Sequence, residues 1–226
     1  QPAYTRGVAQ HVGEALHRPR AAQVQIQPGD GKHGGDLRQK ADLLVSMPAG
    51  TRGGIHPRTF QSYIRLKLPD KTIFNMPCDV PTVSARNTSL QIAHEAGAKA
   101  LLFIDSDMEF LGDSYRRLSA LNADICCGLF FTRSAPSSPT VMVRQEEDGG
   151  QFSLRSIVPD GKVHDIDACG MAFTLIRRKV IEWAMKESVE KGIPPFRHVV
   201  FGEDLDFVMR ARKAGFTAKC DTSLLI

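Results

Sequence analysis

No run of the sequence is apolar for long enough to cross a membrane. Its longest apolar stretches, typified by Ala100–Ile104, fall far short of the roughly 20 residues a spanning helix needs. Paired cysteine motifs are missing too. Cys78, Cys126, Cys127, Cys169 and Cys220 contain no CxxC and no zinc-knuckle spacing, which removes a disulfide framework and a zinc module. They are odd in number, and Cys126 and Cys127 are adjacent inside an apolar run, so they read as small buried residues in a reducing, cytoplasmic compartment. No charged-then-apolar leader is visible, and the chain starts at Gln1 rather than methionine, so it reads as a fragment or a processed form. Internal repeats are absent. So is a dominant charge sign: of the net +4, residues 1–40 hold +3, with six Lys/Arg against three Asp/Glu. The remainder has no field that would announce nucleic acid.

What is present fits one domain with a tail: 226 residues, 42% hydrophobic and 24% charged. Residues 1–40 are rich in Gly, Gln and Arg without a sustained apolar period, which predicts a flexible basic arm with a short helix at 8–17. From residue 41 the pattern changes. Strands are predicted at 42–47, 72–76, 100–104 and 124–131, alternating with helices at 56–68, 83–96 and 112–121. Pro48-Ala49-Gly50 closes the first strand, and Gly97 sits where a left-handed helix cap is wanted. Such alternation implies a mostly parallel sheet flanked by helices, a Rossmann-like α/β fold with ligands at the carboxyl ends of the strands. The second half is expected to be rich in hairpins, with turns at 148–150 and 159–161. A strand at 173–177, helices at 178–190 and 203–214 and a last strand at 218–226 follow.

Two constellations carry chemistry. In Leu101-Leu102-Phe103-Ile104-Asp105-Ser106-Asp107, a buried strand delivers two carboxylates to the end of a sheet. One can hold a hard cation such as Mg²⁺ or Mn²⁺ while the other takes a sugar hydroxyl; solvated loop acids are the plain alternative. The second is Gly202-Glu203-Asp204-Leu205-Asp206, opening an amphipathic helix. Acids complement a first helical turn, but three in four positions exceed what capping needs, and a carboxylate held there can accept a hydroxyl proton.

Asp105-Ser106-Asp107 after a buried strand, Glu203-Asp204 opening a helix, and the closing Lys213-Ala214-Gly215-Phe216 together resemble the GT-A glycosyltransferases, especially family 2. The likeness covers residues 42–226, and the domain is taken as 41–226. It implies a GT-A-like domain of the hexosyltransferase type, with a UDP- or GDP-sugar donor, a Mn²⁺ or Mg²⁺ ion and a saccharide, lipid or protein acceptor. Carried over, it puts the nucleotide base near Pro48, Ala49 and Gly50, donor phosphate near Arg86 of Ala85-Arg86-Asn87, and ribose or metal at Asp105. Asp107 becomes the principal metal ligand, Gly170 lies beside the donor sugar, Asp204 is the general base, and Glu203 orients a hydroxyl. The displacement is expected to be inverting. Family members often supply a histidine ligand just after the strand that ends this chain at Ile226, so the domain is expected to be truncated there. Two other readings stay open. Phe103–Asp107 and Val199–Asp204 also resemble the acidic motifs of haloacid-dehalogenase-like phosphatases, with Asp105 as nucleophile, and a non-catalytic nucleotide-sugar-binding module is the third. Acceptor specificity is expected in residues 132–163.

Overall fold

The structure, a computed structural model, describes residues 40–50, 54–133, 135–147 and 152–226. Apart from Lys40, the expected arm and its helix lie outside the described residues, as does the turn at 148–150. In chain order the elements are β1 (Leu43–Ser46), α1 (Pro57–Arg65), β2 (Thr72–Asn75), α2 (Thr82–Glu95), β3 (Ala100–Ile104), α3 (Ser114–Ala120) and β4 (Ile125–Leu129). The second half adds β5 (Val141–Glu146), β6 (Phe152–Ser156), β7 (Val163–Asp165), β8 (Ala168–Cys169), β9 (Phe173–Arg177), α4 (Arg178–Lys191), α5 (Glu203–Lys213) and β10 (Ala218–Leu225).

A seven-stranded sheet runs β2-β1-β3-β9-β4-β10-β7, and a smaller one runs β6-β5-β8. Its inner strands are apolar on both faces: every residue of β1, β3 and β4 is buried, as in sheets covered by helices on two sides. One core layer packs Leu90 and Ala93 of α2, Val180 and Ile181 of α4, and Phe207, Val208 and Ala211 of α5 against Leu44, Leu101, Phe103 and Ile125. The other packs Leu118 of α3, Leu66 and the ring of Tyr63 against Val45, Leu102, Ile104 and Leu175. α2 stops where Gly97 takes φ 61°, and α4 where Gly192 takes φ 65°, conformations that favour glycine.

The expected mostly parallel sheet carries an insertion, and one helix boundary is corrected. The strands of the first half do not form an uninterrupted parallel array: β9 lies between β3 and β4 and runs antiparallel to both. Its sequence, Phe173-Thr174-Leu175-Ile176-Arg177, is buried from Phe173 to Ile176, so it satisfies two neighbours' backbones in the most covered part of the sheet. Strand periodicity reveals burial but carries no direction. The first helix also ends at Arg65 rather than near 68. There the Lys67 N–H donates to the Gly112 carbonyl (2.8 Å), and Gly112 comes so close that a Cβ would lie 2.6 Å from the Arg65 oxygen. The Tyr63 and Phe74 rings pack at a tilt with centroids 4.9 Å apart, while Phe60 and Ile64 face outward.

α2 is tied to its surroundings by polar side chains. Ser46 and Ser89 share a buried hydrogen bond of 2.7 Å, and Asn75 donates to Ser89 (2.9 Å), joining α2 to β1 and β2. Asn87 donates to the Phe196 carbonyl and accepts the Phe196 N–H, both at 2.8 Å, so the segment leading into α5 is clamped to α2. Asn87→Ala leaves both backbone groups of the fully buried Phe196 without partners. It should lower stability by about 1–3 kcal/mol in urea denaturation, and an unchanged midpoint would mean that the clamp contributes nothing.

Candidate active site

The carboxyl ends of β1, β3 and β4 open onto one cleft of about 240 Å³, lined by Pro48, Ala49, Gly50, Thr82, Arg86, Asp105, Ser106, Asp107 and Arg133. Each strand runs into it. Ser46 ends β1 just before the 47–50 turn, whose Gly50 takes φ 65°, and Ile104 ends β3 just before Asp105. The reversed direction of β9 brings its beginning to the same edge, where the Asp105 N–H donates to the Ala172 carbonyl (2.8 Å). The Ser106 carbonyl in turn accepts the His56 N–H (2.7 Å), which anchors the residue that begins α1 to the acidic turn.

Arg86 occupies the back of the cleft. It is only 4% exposed, and its guanidinium contacts Glu203 Oε1 at 2.6 Å, Asp105 Oδ1 at 3.4 Å and Asp204 Oδ2 at 3.9 Å. Its Nε is buried with no hydrogen-bond partner among the described residues. Because those donors engage carboxylates, Arg86 is an internal counter-ion that joins the two acidic motifs rather than an exposed cation. The N-terminus of α2 beside it has no side-chain cap, since Pro81 stands in that position. First-turn N–H groups left without intrahelical partners, together with the helix dipole, favour an anion there.

Asp204 sits in a tight cradle. A Cβ on Gly170 would lie 3.4 Å from Asp204 Oδ2 and 2.8 Å from the Phe130 ring. One on Gly202, itself at φ 103°, would lie 2.8 Å from Asp204 Oδ1. The Leu205 N–H donates to Oδ1 (2.8 Å). Burial pushes the Asp204 carboxyl above the ordinary aspartate range, with the neighbouring Glu203 adding to the rise. Arg86 and the Leu205 N–H offset part of it. Three-quarters buried yet facing Arg86, Asp204 is suited to accept a proton.

The structure brings together the residues singled out by sequence. Pro48, Ala49, Gly50, Arg86, Asp105 and Asp107 line the cleft, and Arg86 connects them to Glu203 and Asp204, with Gly170 against Asp204. The third acid of the α5 turn does something else. Asp206 is 5% exposed, faces inward and holds Arg197 at 2.8 Å and Arg210 at 2.9 Å. Thr82 and Arg133 were missed, although both follow the rule that singled out the others: each begins or ends a connection at the carboxyl edge of the sheet. Arg133 forms an ion pair with Asp107. A larger hollow of about 500 Å³ runs along the C-terminal half of α5, but its Asp206 and Arg210 neutralise each other and it lacks an acid pair at a strand end.

Four of the five cysteines are buried and all are free. Burial pushes the Cys126 thiol up to about 11, and its neighbours Cys169 and Cys220, with burial, hold Cys127 well above the usual range. These are unreactive core thiols. Among the described residues no three Asp, Glu, His or Cys side chains converge to hold a metal by themselves, and no helix is long and apolar enough to cross a membrane.

No protein-family model and no curated protein matches the sequence. Among solved structures, A197 from STIV superposes with a TM-score of 0.58 at 16% identity, over 80% of this chain and 82% of that one. The two share a mixed α/β, Rossmann-like fold. Residues 1–349 of TarS from S. aureus superpose with a TM-score of 0.44 at 11% identity, over 79% of this chain and 57% of that one. That weaker likeness adds nothing to the argument.

A raised carboxyl in the folded state has a stability signature. The folded protein keeps the Asp204 proton at pH values where the unfolded chain, near the ordinary value of about 3.9, has released it. Stability therefore falls as pH rises through the interval between the two values, and the loss is complete above it. Asp204→Asn should raise the urea midpoint at pH 7, with the gain vanishing below about pH 4. A lower midpoint at pH 7 would show that the charged form is favoured by its surroundings.

Proposed function

We propose that the chain is a metal-dependent glycosyltransferase with a GT-A-like domain at 41–226, moving a sugar from a UDP- or GDP-sugar to an acceptor hydroxyl with inversion. The observation that carries this reading is the junction at Arg86, which sets the Asp105–Asp107 strand end beside Glu203 and Asp204 at one sheet edge. The motifs in that junction are those in which the sequence resembles glycosyltransferase family 2.

The donor set suits a hard cation that arrives with a diphosphate. Two carboxylates, Asp105 and Asp107, stand at the cleft mouth without a third protein ligand among the described residues. Mg²⁺ and Mn²⁺ readily complete such a shell with phosphate oxygens and water. When bound, the cation supplies positive charge to the departing diphosphate. The uncapped N-terminus of α2 faces the same negative charge. Pro48, Ala49 and Gly50 form the floor for the nucleotide base, and Gly170 leaves room for the donor sugar. Asp204 accepts the acceptor's proton as its oxygen attacks the anomeric carbon from the face opposite the leaving diphosphate. Glu203, held on Arg86, orients the acceptor hydroxyl. Residues 132–163, with the β5–β6 hairpin, are the proposed acceptor side.

A phosphatase with Asp105 as nucleophile has less in its favour, because this carboxylate already leans on Arg86 and strands β1 and β2 precede it. Thermal-shift measurements with nucleoside diphosphates should give stabilisation that requires Mn²⁺. No metal-dependent stabilisation by any of them would overturn the proposal. Asp107→Ala should lose that metal-dependent binding. Asp204→Ala should bind donor normally but transfer about 100-fold more slowly or worse, and full transfer by it would remove Asp204 from the role of base. Wild-type binding without any transfer or donor hydrolysis would favour the binding-module alternative.

A further inference from the structure

Arg133 is a residue for which the mechanism above has no use. It lies four residues beyond β4, in a loop closed at its base by the Thr132 N–H to Ser138 carbonyl bond (2.9 Å) and by the bridge between Phe131 and Pro139. Its side chain is 77% exposed, lines the cleft and is paired with Asp107.

The charge balance of the site makes this arginine informative. Asp105, Asp107, Glu203 and Asp204 gather around Arg86 and Arg133, so carboxylates outnumber cations. Arg86 cannot correct this for an incoming ligand: it is buried on α2 with its head group on three carboxylates. Among the described residues, Arg133 is the solvent-facing cation that lines the cleft, and its long stem rises from the rim. Guanidinium is the group whose planar fork best matches phosphate oxygens. Yet it rests on the carboxylate proposed to receive the metal ion. A guanidinium and a divalent cation compete for the same carboxylate oxygens, because each neutralises the charge that attracts the other.

We infer that Arg133 is the ligand for the donor's diphosphate, and that it covers Asp107 until cation and nucleotide arrive together. Asp107 would exchange the guanidinium for the cation, leaving Arg133 free to hold the diphosphate oxygens. Before donor binding Arg133 lowers the protein's affinity for free metal; after it, Arg133 raises the affinity for nucleotide. The inference rests on the glycosyltransferase reading.

The signature is a pair of shifts with opposite signs, measured without any turnover. In Arg133→Ala, Mn²⁺ titrated alone and followed by its electron paramagnetic resonance signal should bind about threefold more tightly, since a surface-level competitor is gone. UDP and GDP titrated calorimetrically at saturating Mn²⁺ should bind about tenfold more weakly, the scale of a charge-assisted contact. Arg133→Lys should recover part of the nucleotide affinity while remaining weaker than wild type. If Arg133→Ala weakens both, or leaves either unchanged, the assignment is wrong. If wild type takes up neither nucleotide in the presence of Mn²⁺, the glycosyltransferase reading falls and takes the inference with it. If it does take one up and only the opposite shifts are missing, the reading stands and Arg133 alone is reassigned.

Discussion

The guanidinium of Arg86 is a full positive charge held almost entirely out of water, a placement that costs several kcal/mol unless the surroundings answer it. They answer with carboxylates drawn from distant parts of the chain: Asp105 from the end of β3, and Glu203 and Asp204 from the start of α5. Asp105 lies about 100 residues from the adjacent Glu203 and Asp204, and without the cation the three would repel one another. The same charge thus makes the sheet edge habitable for α5 and sets how far the strand-end acids stand from Asp204. It also restrains the pKa of Asp204, which burial alone would push higher. Fold and chemistry share one ion at this point, and neither can be altered there independently.

Around that ion the sheet supplies a rigid frame. β1 and β3 end at the cleft because they are parallel neighbours, and β9 begins there because it runs the other way. An antiparallel strand in the middle of a Rossmann-like sheet has a local use here: its start carries Gly170 and Ala172 to the edge where its neighbour delivers Asp105. Asp204 then lies between two positions, Gly170 and Gly202, at which any side chain would collide with it or its neighbours.

Most of the elements were legible in the sequence, for a definite reason. Runs such as Leu43-Leu44-Val45 and Leu101-Leu102-Phe103-Ile104 are apolar on both faces, which marks a covered strand whatever its partners, and Gly97 marks the end of α2 by the backbone angle it must adopt. The positions of Asp105 and Asp107 at the cleft followed from the same logic, because a polar residue directly after a buried strand sits at a sheet edge. What was illegible was long-range. Nothing in Phe173–Arg177 states that it inserts between β3 and β4, since apolar strands read alike in either direction. Burial of Arg86 was hidden because its answering charges lie 19 and 117 residues away. The separate employment of Asp206, turned inward onto Arg197 and Arg210, was equally invisible within a run of three acids. Arg133 was discoverable by the strand-end rule, but its loop lacks a pattern to draw attention to it.

The place of β9 also governs when the site can come into being. A nascent chain that has emerged only through β4 has β3 and β4 without the strand that joins them, so both carry an unpaired edge. Domains of this size collect non-local pairings slowly, and exposed strand edges in that interval invite intermolecular pairing. The acid pair is therefore synthesised well before its scaffold: Asp105 has no Ala172 carbonyl to hold its amide until the start of β9 has left the ribosome, and Arg86 has no Glu203 until α5 has followed. Assembly of the cleft must by this topology await both β9 and α5, and a truncation anywhere before α5 removes Glu203 and Asp204 from the site.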